Sequence, residues 1–328
     1  MTESESLVSA SPSAGAPDAP SPSKARAFAR KWGFLLVPTV ALWELAAHLV
    51  QTHSVPTADD WGKARAAVEA EWKPGDLVVF APYWADPLGR EYFGSTLAGL
   101  RDEARPDETR YARAFEVSMR GQHDGELKEW RAKEEKKVGP FSITVLENPA
   151  PAHVLDDLVT HATPDRAHVF RTDPRINAEC GWVHGPSTAG GLGSGPAIPG
   201  DRFACPGGTF LGESVIFEPS YRPRRCLLAI PGGHGVITRV VFQDVPFGTA
   251  LHGHAGLQYE SENGGGADTV LTWRAGDVTL GRVVHRDGDG WKGFELQTTD
   301  LQGKRGDLTA EISTTGSGRQ YCFEADTR

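Results

Sequence analysis

Two histidines one residue apart, His252 and His254, are the residues of this chain best suited to bind a metal. If they lie on a strand, their side chains point to the same face, because alternate side chains of a strand do so. Two imidazoles on one face can share a transition metal, and Glu260 is the predicted third ligand. The alternative is that the histidines flank a glycine turn and one of them bonds to the backbone.

This run resembles part of the first cupin motif, G-x5-H-x-H-x3–4-E-x6-G. The resemblance implies a metal-dependent enzyme in which His252, His254 and Glu260 are the ligands. The sequence departs from the motif, because Gly248 does not have the required spacing to His252 and no second cupin motif follows. A metal site and purely structural histidines therefore both stay open.

The turn Asp287-Gly288-Asp289-Gly290 is a second candidate metal-binding segment. Carboxylates at alternate positions of a glycine-rich turn can hold Ca²⁺, so a structural calcium ion is the one cofactor that we predict. The glutamate that completes an EF-hand loop is missing, and an ordinary β-turn explains the same residues.

Aromatic residues near this turn indicate a sugar-binding surface. An exposed tryptophan can stack on a sugar ring while neighbouring polar groups bind its hydroxyls. The alternative for each ring is a place in the core. The predicted ligand-binding residues are Trp291, Asp287, Asp289 and Tyr259.

Other catalytic classes find no support in the sequence, and we predict no catalytic residues. A G-x-S-x-G motif is absent, and no lysine follows the glycines of segment 181–208 as a phosphate-binding P-loop requires. The net charge of −9 argues against a nucleic-acid partner, because nucleic-acid-binding proteins present basic patches.

Four cysteines all lie in the C-terminal half, and none forms a CxxC pair typical of zinc sites. An even number predicts two disulfides in an oxidising compartment. We favour Cys180–Cys205, which closes a Gly/Pro-rich loop, and Cys226–Cys322, which ties an early strand to the last. Four buried free thiols are the alternative.

The N-terminal residues predict a membrane anchor. Residues 1–31 read as a disordered cytoplasmic tail that ends in a basic cluster. Residues 32–50 just suffice to span a bilayer, which places the rest of the chain outside the inner (plasma) membrane. A cleaved signal peptide and a buried helix are the alternatives, and Pro38, Glu44 and His48 favour the buried helix.

Residues 57–150 predict a small α/β domain, with helix caps at Thr57, Asp59 and Asp60 and a buried strand over Leu77–Ala81. The stretches PGDLVVFAP and VGPFSITVLENPAP resemble the extracytoplasmic α/β domain of bacterial GT-C (mannosyltransferase-like) glycosyltransferases. The resemblance implies work on glycans or lipid-linked sugars at the outer membrane face. The multi-spanning catalytic part of those enzymes is not found in this sequence.

Residues 151–210 read as a Gly/Pro-rich connector, and residues 211–328 as an antiparallel β-sandwich. The alternation over Leu308–Thr314 is typical of a half-buried strand. The run GRVVHRDGDGW, followed by a strand and a closing Cys-Phe strand, is similar to galactose-binding-like jelly-roll domains.

The sequence therefore predicts an α+β multidomain protein with a transmembrane helix, a small α/β domain and a C-terminal jelly-roll sandwich. Its predicted role is that of a non-catalytic, membrane-anchored extracytoplasmic binding or accessory protein. Its predicted partners are the membrane, other membrane-protein helices and glycans. The alternatives are a sugar-processing or cupin-like enzyme and a structural subunit of a membrane complex.

Overall fold

The computed structural model describes residues 32–53, 55–97, 107–188, 197–217 and 222–328, and it divides after Val55 into two compact units. In the first unit, a short 3-10 turn (Gly33–Leu35) leads into helix α1 (Leu36–His53). The tail predicted over residues 1–31 lies outside the described residues.

Helix α1 occupies the apolar stretch that we predicted as a transmembrane anchor. Glu44 and His48 interrupt its apolar character in mid-helix. Across the described ranges, no helix has both the length and the apolar character that a bilayer crossing requires. The structure thus has a helix over most of the stretch predicted at residues 32–50.

The second unit, Pro56–Arg328, starts with helix α2 (Ala58–Glu69), which begins at a capping box. The Thr57 hydroxyl accepts a bond from the Asp60 amide at 3.2 Å, and the Asp60 carboxylate accepts one from the Thr57 amide at 2.9 Å. This exchange satisfies amides that the first turn of a helix leaves unpaired. It confirms that the helix begins where Thr57 and Asp60 predicted.

A four-stranded sheet follows and forms what we call the α/β layer together with α2 and α3 (Asp86–Leu97). The strands are β1 (Leu77–Ala81), β2 (Arg113–Met119), β3 (Arg131–Val138) and β4 (Phe141–Glu147). Their order is β1-β2-β4-β3, and only β1 and β2 are parallel. Trp61 of α2 packs its ring 4.4 Å from that of Phe141 and so holds the helix on the sheet.

Two antiparallel sheets make up the rest of the unit, with short helices α4 (Leu158–His161) and α5 (Tyr259–Glu262) between strands. The eight-stranded sheet has the order β16-β13-β18-β11-β10-β9-β8 with β5 paired to β18, and the six-stranded sheet has the order β15-β14-β17-β12-β6-β7. The strands are β5 (Asp156–Asp157), β6 (Ala167–Thr172), β7 (Asn177–Glu179), β8 (Gly181–His184), β9 (Asp201–Ala204), β10 (Phe210–Phe217), β11 (Pro223–Ile230), β12 (Ile237–Pro246), β13 (Ala250–Leu257), β14 (Thr269–Ala275), β15 (Val278–His285), β16 (Lys292–Gln297), β17 (Arg305–Thr314) and β18 (Tyr321–Thr327).

These sheets enclose one hydrophobic core, as a β-sandwich requires. In β17 the alternation is as predicted, with Leu308, Ala310 and Ile312 fully buried. Trp273 is also fully buried in this core. Residues 151–210, predicted as a connector, supply α4 and strands β5–β9 to both sheets.

Strand β18 is buried along its whole length, which is unusual for a sheet with one face toward the core. Phe323 and Ala325 belong to the core between the sheets, whereas Cys322 belongs to a separate cluster on the other face. The outward residues Glu324 and Asp326 are also buried. The α/β layer covers them there through the contacts described below.

Both predicted disulfides are confirmed. Cys180–Cys205 joins the residue before β8 to the residue after β9, and both cysteines belong to the sandwich core. Cys226–Cys322 joins β11 to β18 across the outer face of the eight-stranded sheet.

Removal of these bonds has unequal effects, because a disulfide that closes a longer loop restricts the unfolded chain more. The bonded residues are 25 positions apart in Cys180–Cys205 and 96 apart in Cys226–Cys322. We expect Cys226→Ala/Cys322→Ala to lower the free energy of unfolding by about 4.7 kcal/mol and Cys180→Ala/Cys205→Ala by about 3.5 kcal/mol. Urea unfolding of both double variants measures this, and an equal or larger loss for the shorter loop contradicts it.

Candidate functional site

Arg110 joins the α/β layer to the sandwich. Its Nη1 lies 3.0 Å from Asp157 Oδ2, and its Nη2 lies 3.0 Å from Asp326 Oδ2. Burial works to lower the pKa of Arg110, but the charges of Asp157, Glu324 and Asp326 outweigh it and raise that pKa above its ordinary value. The guanidinium therefore stays charged between two carboxylates of the sandwich.

Arg328 forms a second connection beside the first. Its Nη2 lies 2.9 Å from Asp107 Oδ2, and its Nε lies 2.5 Å from Asp326 Oδ1. Thr109 holds the other oxygen of Asp107, because its amide and its hydroxyl each donate to Oδ1 at 2.9 Å. Asp107, which precedes β2, is thus fixed against the outer face of the eight-stranded sheet.

His252 and His254 lie beside Asp107 on strand β13. Across the strand pair, His252 is opposite Asp326 and His254 is opposite Glu324. The two rings are 5.1 Å apart, and His252 Nδ1 lies 3.4 Å from Asp107 Oδ2. One ligand atom from each of Asp107, His252 and His254 lies within 4.8 Å of the other two.

Burial and neighbouring charges shift the pKa values of the two histidines in opposite directions. Burial lowers the pKa of His252, and the charge of Arg328 lowers it further. Burial acts the same way on His254, but the bond from Glu324, at 2.8 Å from Nδ1, raises its pKa above the usual value. Burial raises the pKa of Glu324 itself. Burial acts to raise the pKa of Asp107, but the charges of Arg328 and both histidines outweigh it, and that pKa is lowered.

The structure groups the predicted metal ligands differently from the sequence pattern. It brings His252 and His254 together, while Glu260 lies on helix α5 and is not among the three clustered ligands. Asp107 takes the third place. Sequence reasoning missed Asp107 because it lies in an irregular segment of another layer, with no motif around it.

Trp291, the predicted sugar-stacking residue, is half-buried against the protein itself. Its ring lies parallel to that of His254, with centroids 5.8 Å apart and an angle of 6°. The Arg224 guanidinium lies 5.9 Å from its centroid. The structure places Tyr259 at the start of α5.

Protein groups engage both aspartates of the predicted calcium turn. Arg319 pairs with Asp287, and Lys292 Nζ lies 2.8 Å from Asp289. The buried Glu262 completes the turn by accepting bonds from the amides of Gly288 and Gly290 at 2.8 and 2.9 Å. The calcium ion stays a prediction, and protein cations already neutralise these carboxylates.

A groove of about 740 Å³ opens beside β8, β10 and α4. Val159, Ala162 and Val215 supply apolar side chains to its lining. Its side chains suited to ligand contact are Trp182, Thr160, Ser187, Asp201, Glu213 and Ser214.

Packing and hydrogen bonds hold Trp182 and Asp201 of this groove in place. The Trp182 ring packs edge-on against Phe203 at 4.8 Å. The Trp182 Nε1–H donates to His184, which pairs with Asp201 at 2.6 Å. Sequence reasoning missed Trp182 because it assigned residues 151–210 to a connector, although the Gly-Trp-Val-His run gives a strand signal.

Arg225 fixes two other residues of the groove. Its Nε donates to Glu213 Oε1 at 2.9 Å, and its Nη2 donates to the Thr160 hydroxyl at 3.2 Å. Its Nη1 lies 3.4 Å from Asp157, which also binds Arg110. The groove is therefore linked to the ion pairs at the junction.

Known proteins give little guidance. No protein-family model and no curated protein matches this chain. The solved structures that resemble it include CBM51-2 with INT domains from Clostridium perfringens ZmpB, in complex with GlcNAc, at 7% identity over 53% of this chain, with TM-score 0.28. Another is the Clostridium thermocellum xylanase 10B CBM22-1-GH10 modules with xylohexaose, at 11% identity over 36% of this chain and 24% of that chain, with TM-score 0.24.

A third is the C-terminal CBM6 of LamC from Zobellia galactanivorans, at 9% identity over 36% of this chain and 88% of that one, with TM-score 0.24. This chain spans only 40% of the length of the ZmpB structure. Such TM-scores are too low to carry an argument, and the β-sandwich is defined by the strand pairing above. Nothing in these comparisons supports the resemblance to GT-C glycosyltransferases.

The two ion pairs of Arg110 lead to a prediction about stability. Arg110→Met leaves Asp157 with Arg225 and the buried Asp326 with Arg328 as remaining cations, and removal of one partner from a buried ion pair is destabilising. We expect the free energy of unfolding to fall by about 3–5 kcal/mol. Chemical unfolding followed by tryptophan fluorescence measures the loss.

The matched control is Arg239→Met on the six-stranded sheet. Arg239 pairs with Glu311 at 2.9 Å, but its side chain is 38% exposed, so its loss costs about 0–1 kcal/mol. Similar losses for the two variants contradict the role given to Arg110.

Proposed function

We propose that this protein is a non-catalytic carbohydrate-binding protein whose sandwich binds glycans in the groove at Trp182. One observation carries the proposal: a partly exposed indole stands in an open groove with carboxylates and hydroxyls around it. Sugars present apolar C–H faces and hydroxyl edges, so a binding site needs both an aromatic surface and hydrogen-bonding groups.

The groove residues divide these tasks. Trp182 supplies the flat apolar surface on which a sugar ring stacks. Asp201 and Glu213 accept bonds from sugar hydroxyls, and the hydroxyls of Ser187 and Ser214 both donate and accept. The volume of about 740 Å³ lies within the range of small-molecule pockets and suits a short stretch of a glycan.

Pre-organisation supports the same reading. Arg225 and His184 hold the two acidic residues by hydrogen bonds before any ligand arrives. A site whose side chains are already ordered loses less conformational entropy when a ligand binds.

The two disulfides support a place in an oxidising compartment outside the cytoplasm. We propose that the protein works there on cell-envelope or extracellular glycans. The acidic net charge of −9 fits neutral or basic sugars better than acidic polysaccharides.

The proposal predicts that Trp182→Ala weakens glycan binding at least about tenfold, because a buried aromatic contact contributes about 2 kcal/mol or more at the centre of a binding site. A glycan array with the full chain identifies a ligand, and titration calorimetry compares the variants. Trp84→Ala is the matched control, because Trp84 is a 52% exposed tryptophan of the α/β layer, away from the groove.

Glu213→Gln tests the polar half of the site. It preserves the shape of the side chain and removes the charge, so we expect weaker binding, with a lower free energy of unfolding because the buried Arg225 loses a charged partner. Failure of a broad array to yield any ligand, or full binding by both Trp182→Ala and Glu213→Gln, overturns the proposal.

A further inference from the structure

We propose that Asp107, His252 and His254 bind one divalent transition-metal ion, of which Zn²⁺ is the best fit, at the junction of the α/β layer and the sandwich. This site is separate from the glycan groove and does not depend on the proposed function. One carboxylate and two imidazoles are a donor set that zinc and its first-row neighbours prefer.

The spacing of the three residues is close to that of a metal site. Their ligand atoms lie within 4.8 Å of one another. In a tetrahedral zinc site with bonds of about 2.0–2.2 Å, neighbouring ligand atoms are roughly 3.5 Å apart. His252 Nδ1 and Asp107 Oδ2 already have a separation of 3.4 Å. Small side-chain rotations on β13 therefore complete the set.

The unsatisfied state of His252 also indicates a ligand. Its Nδ1 is buried and has no hydrogen-bond partner among the described residues, because its contact with Asp107 lacks hydrogen-bond geometry. A buried polar atom without a partner costs free energy. A metal ion that accepts the lone pair of this nitrogen removes that cost.

Supporting contacts orient the other two ligands. Glu324 bonds to one ring nitrogen of His254 at 2.8 Å, as carboxylates commonly do behind metal-binding histidines. Thr109 fixes Asp107 Oδ1 with two bonds, which directs Oδ2 toward His252. Hydrogen bonds of this kind commonly orient the residues that bind a metal.

Arg328 is the built-in competitor for this site. Its guanidinium takes the same oxygen of Asp107 that faces His252. A cation at this place repels an incoming metal and lowers its affinity. The metal would then replace part of the ionic contact that now holds Asp107 to the sandwich.

The consequence is a metal clip between two layers. Asp107 precedes β2 of the α/β layer, and both histidines belong to β13 of the sandwich. A ligand that binds only the folded state stabilises it by mass action, so metal should raise the melting temperature of the chain.

The experiment uses the full chain after treatment with a chelator. Co²⁺ is added as the probe, and its visible absorption reports nitrogen and oxygen ligation; Zn²⁺ competition then gives the affinity. We expect one ion per chain and a rise in melting temperature. His252→Ala and His254→Ala should each abolish both, and Glu324→Gln should weaken binding by about 10–100-fold.

Two further variants separate a ligand role from a structural one. His168→Ala is the matched control, because His168 also pairs with a carboxylate, Glu179, at 2.7 Å, but on the other sheet. It should leave binding unchanged. Arg328→Gln should tighten metal binding while it lowers stability without metal, which a purely structural role does not explain.

Several results overturn the proposal. They are the absence of a Co²⁺ spectrum, a stoichiometry that His252→Ala does not change, and equal loss of binding in His168→Ala. If His252→Ala does not fold, His252→Gln and Asp107→Asn replace it, and unaltered Co²⁺ binding by both refutes the site.

Discussion

The structure depends on a set of buried charges on the outer face of the eight-stranded sheet. Strand β18 places Glu324 and Asp326 on that face, where the α/β layer removes them from water. Buried carboxylates are tolerated only when cations and hydrogen bonds compensate them. Arg110 and Arg328 pair with Asp326, and His254 bonds to Glu324. The two layers are therefore joined by charge where the sandwich core is joined by apolar packing.

This constraint positions both candidate sites. Arg328 holds Asp107 beside the two histidines of β13, so the three candidate ligands come together only where the layers meet. Asp157 binds Arg110 and also Arg225. Arg225 in turn bonds to Glu213 of the Trp182 groove. The Trp182 groove is thus connected to the junction through Asp157 and Arg225. Both sites draw their order from the same compensated charges.

Local sequence signals predicted part of this arrangement. The cap at Thr57, the alternation in β17 and the two cysteine pairs follow from neighbouring residue types or from loop closure, and the structure has them. The highly charged run of β3 was not recognised as a strand, because nearly all of its residues are exposed and it has no apolar alternation of its own. The short strands β8 and β9 stand among glycines and prolines, which the sequence reads as a loop.

The candidate sites were harder to predict, because each joins residues from distant parts of the chain. The histidine pair is visible as a motif, but its partner Asp107 is set by the docking of another layer. Trp291 lies beside an acidic turn, which suggested sugar stacking, but in the structure its ring stacks on His254. Trp182 has no motif and gains its role only from the groove around it. The most direct test of the central claim is a crystal structure of the full chain with the glycan it binds most tightly. The account predicts a sugar ring stacked on Trp182 with hydroxyls bonded to Asp201 or Glu213. A sugar bound elsewhere, with the Trp182 groove unoccupied, contradicts it.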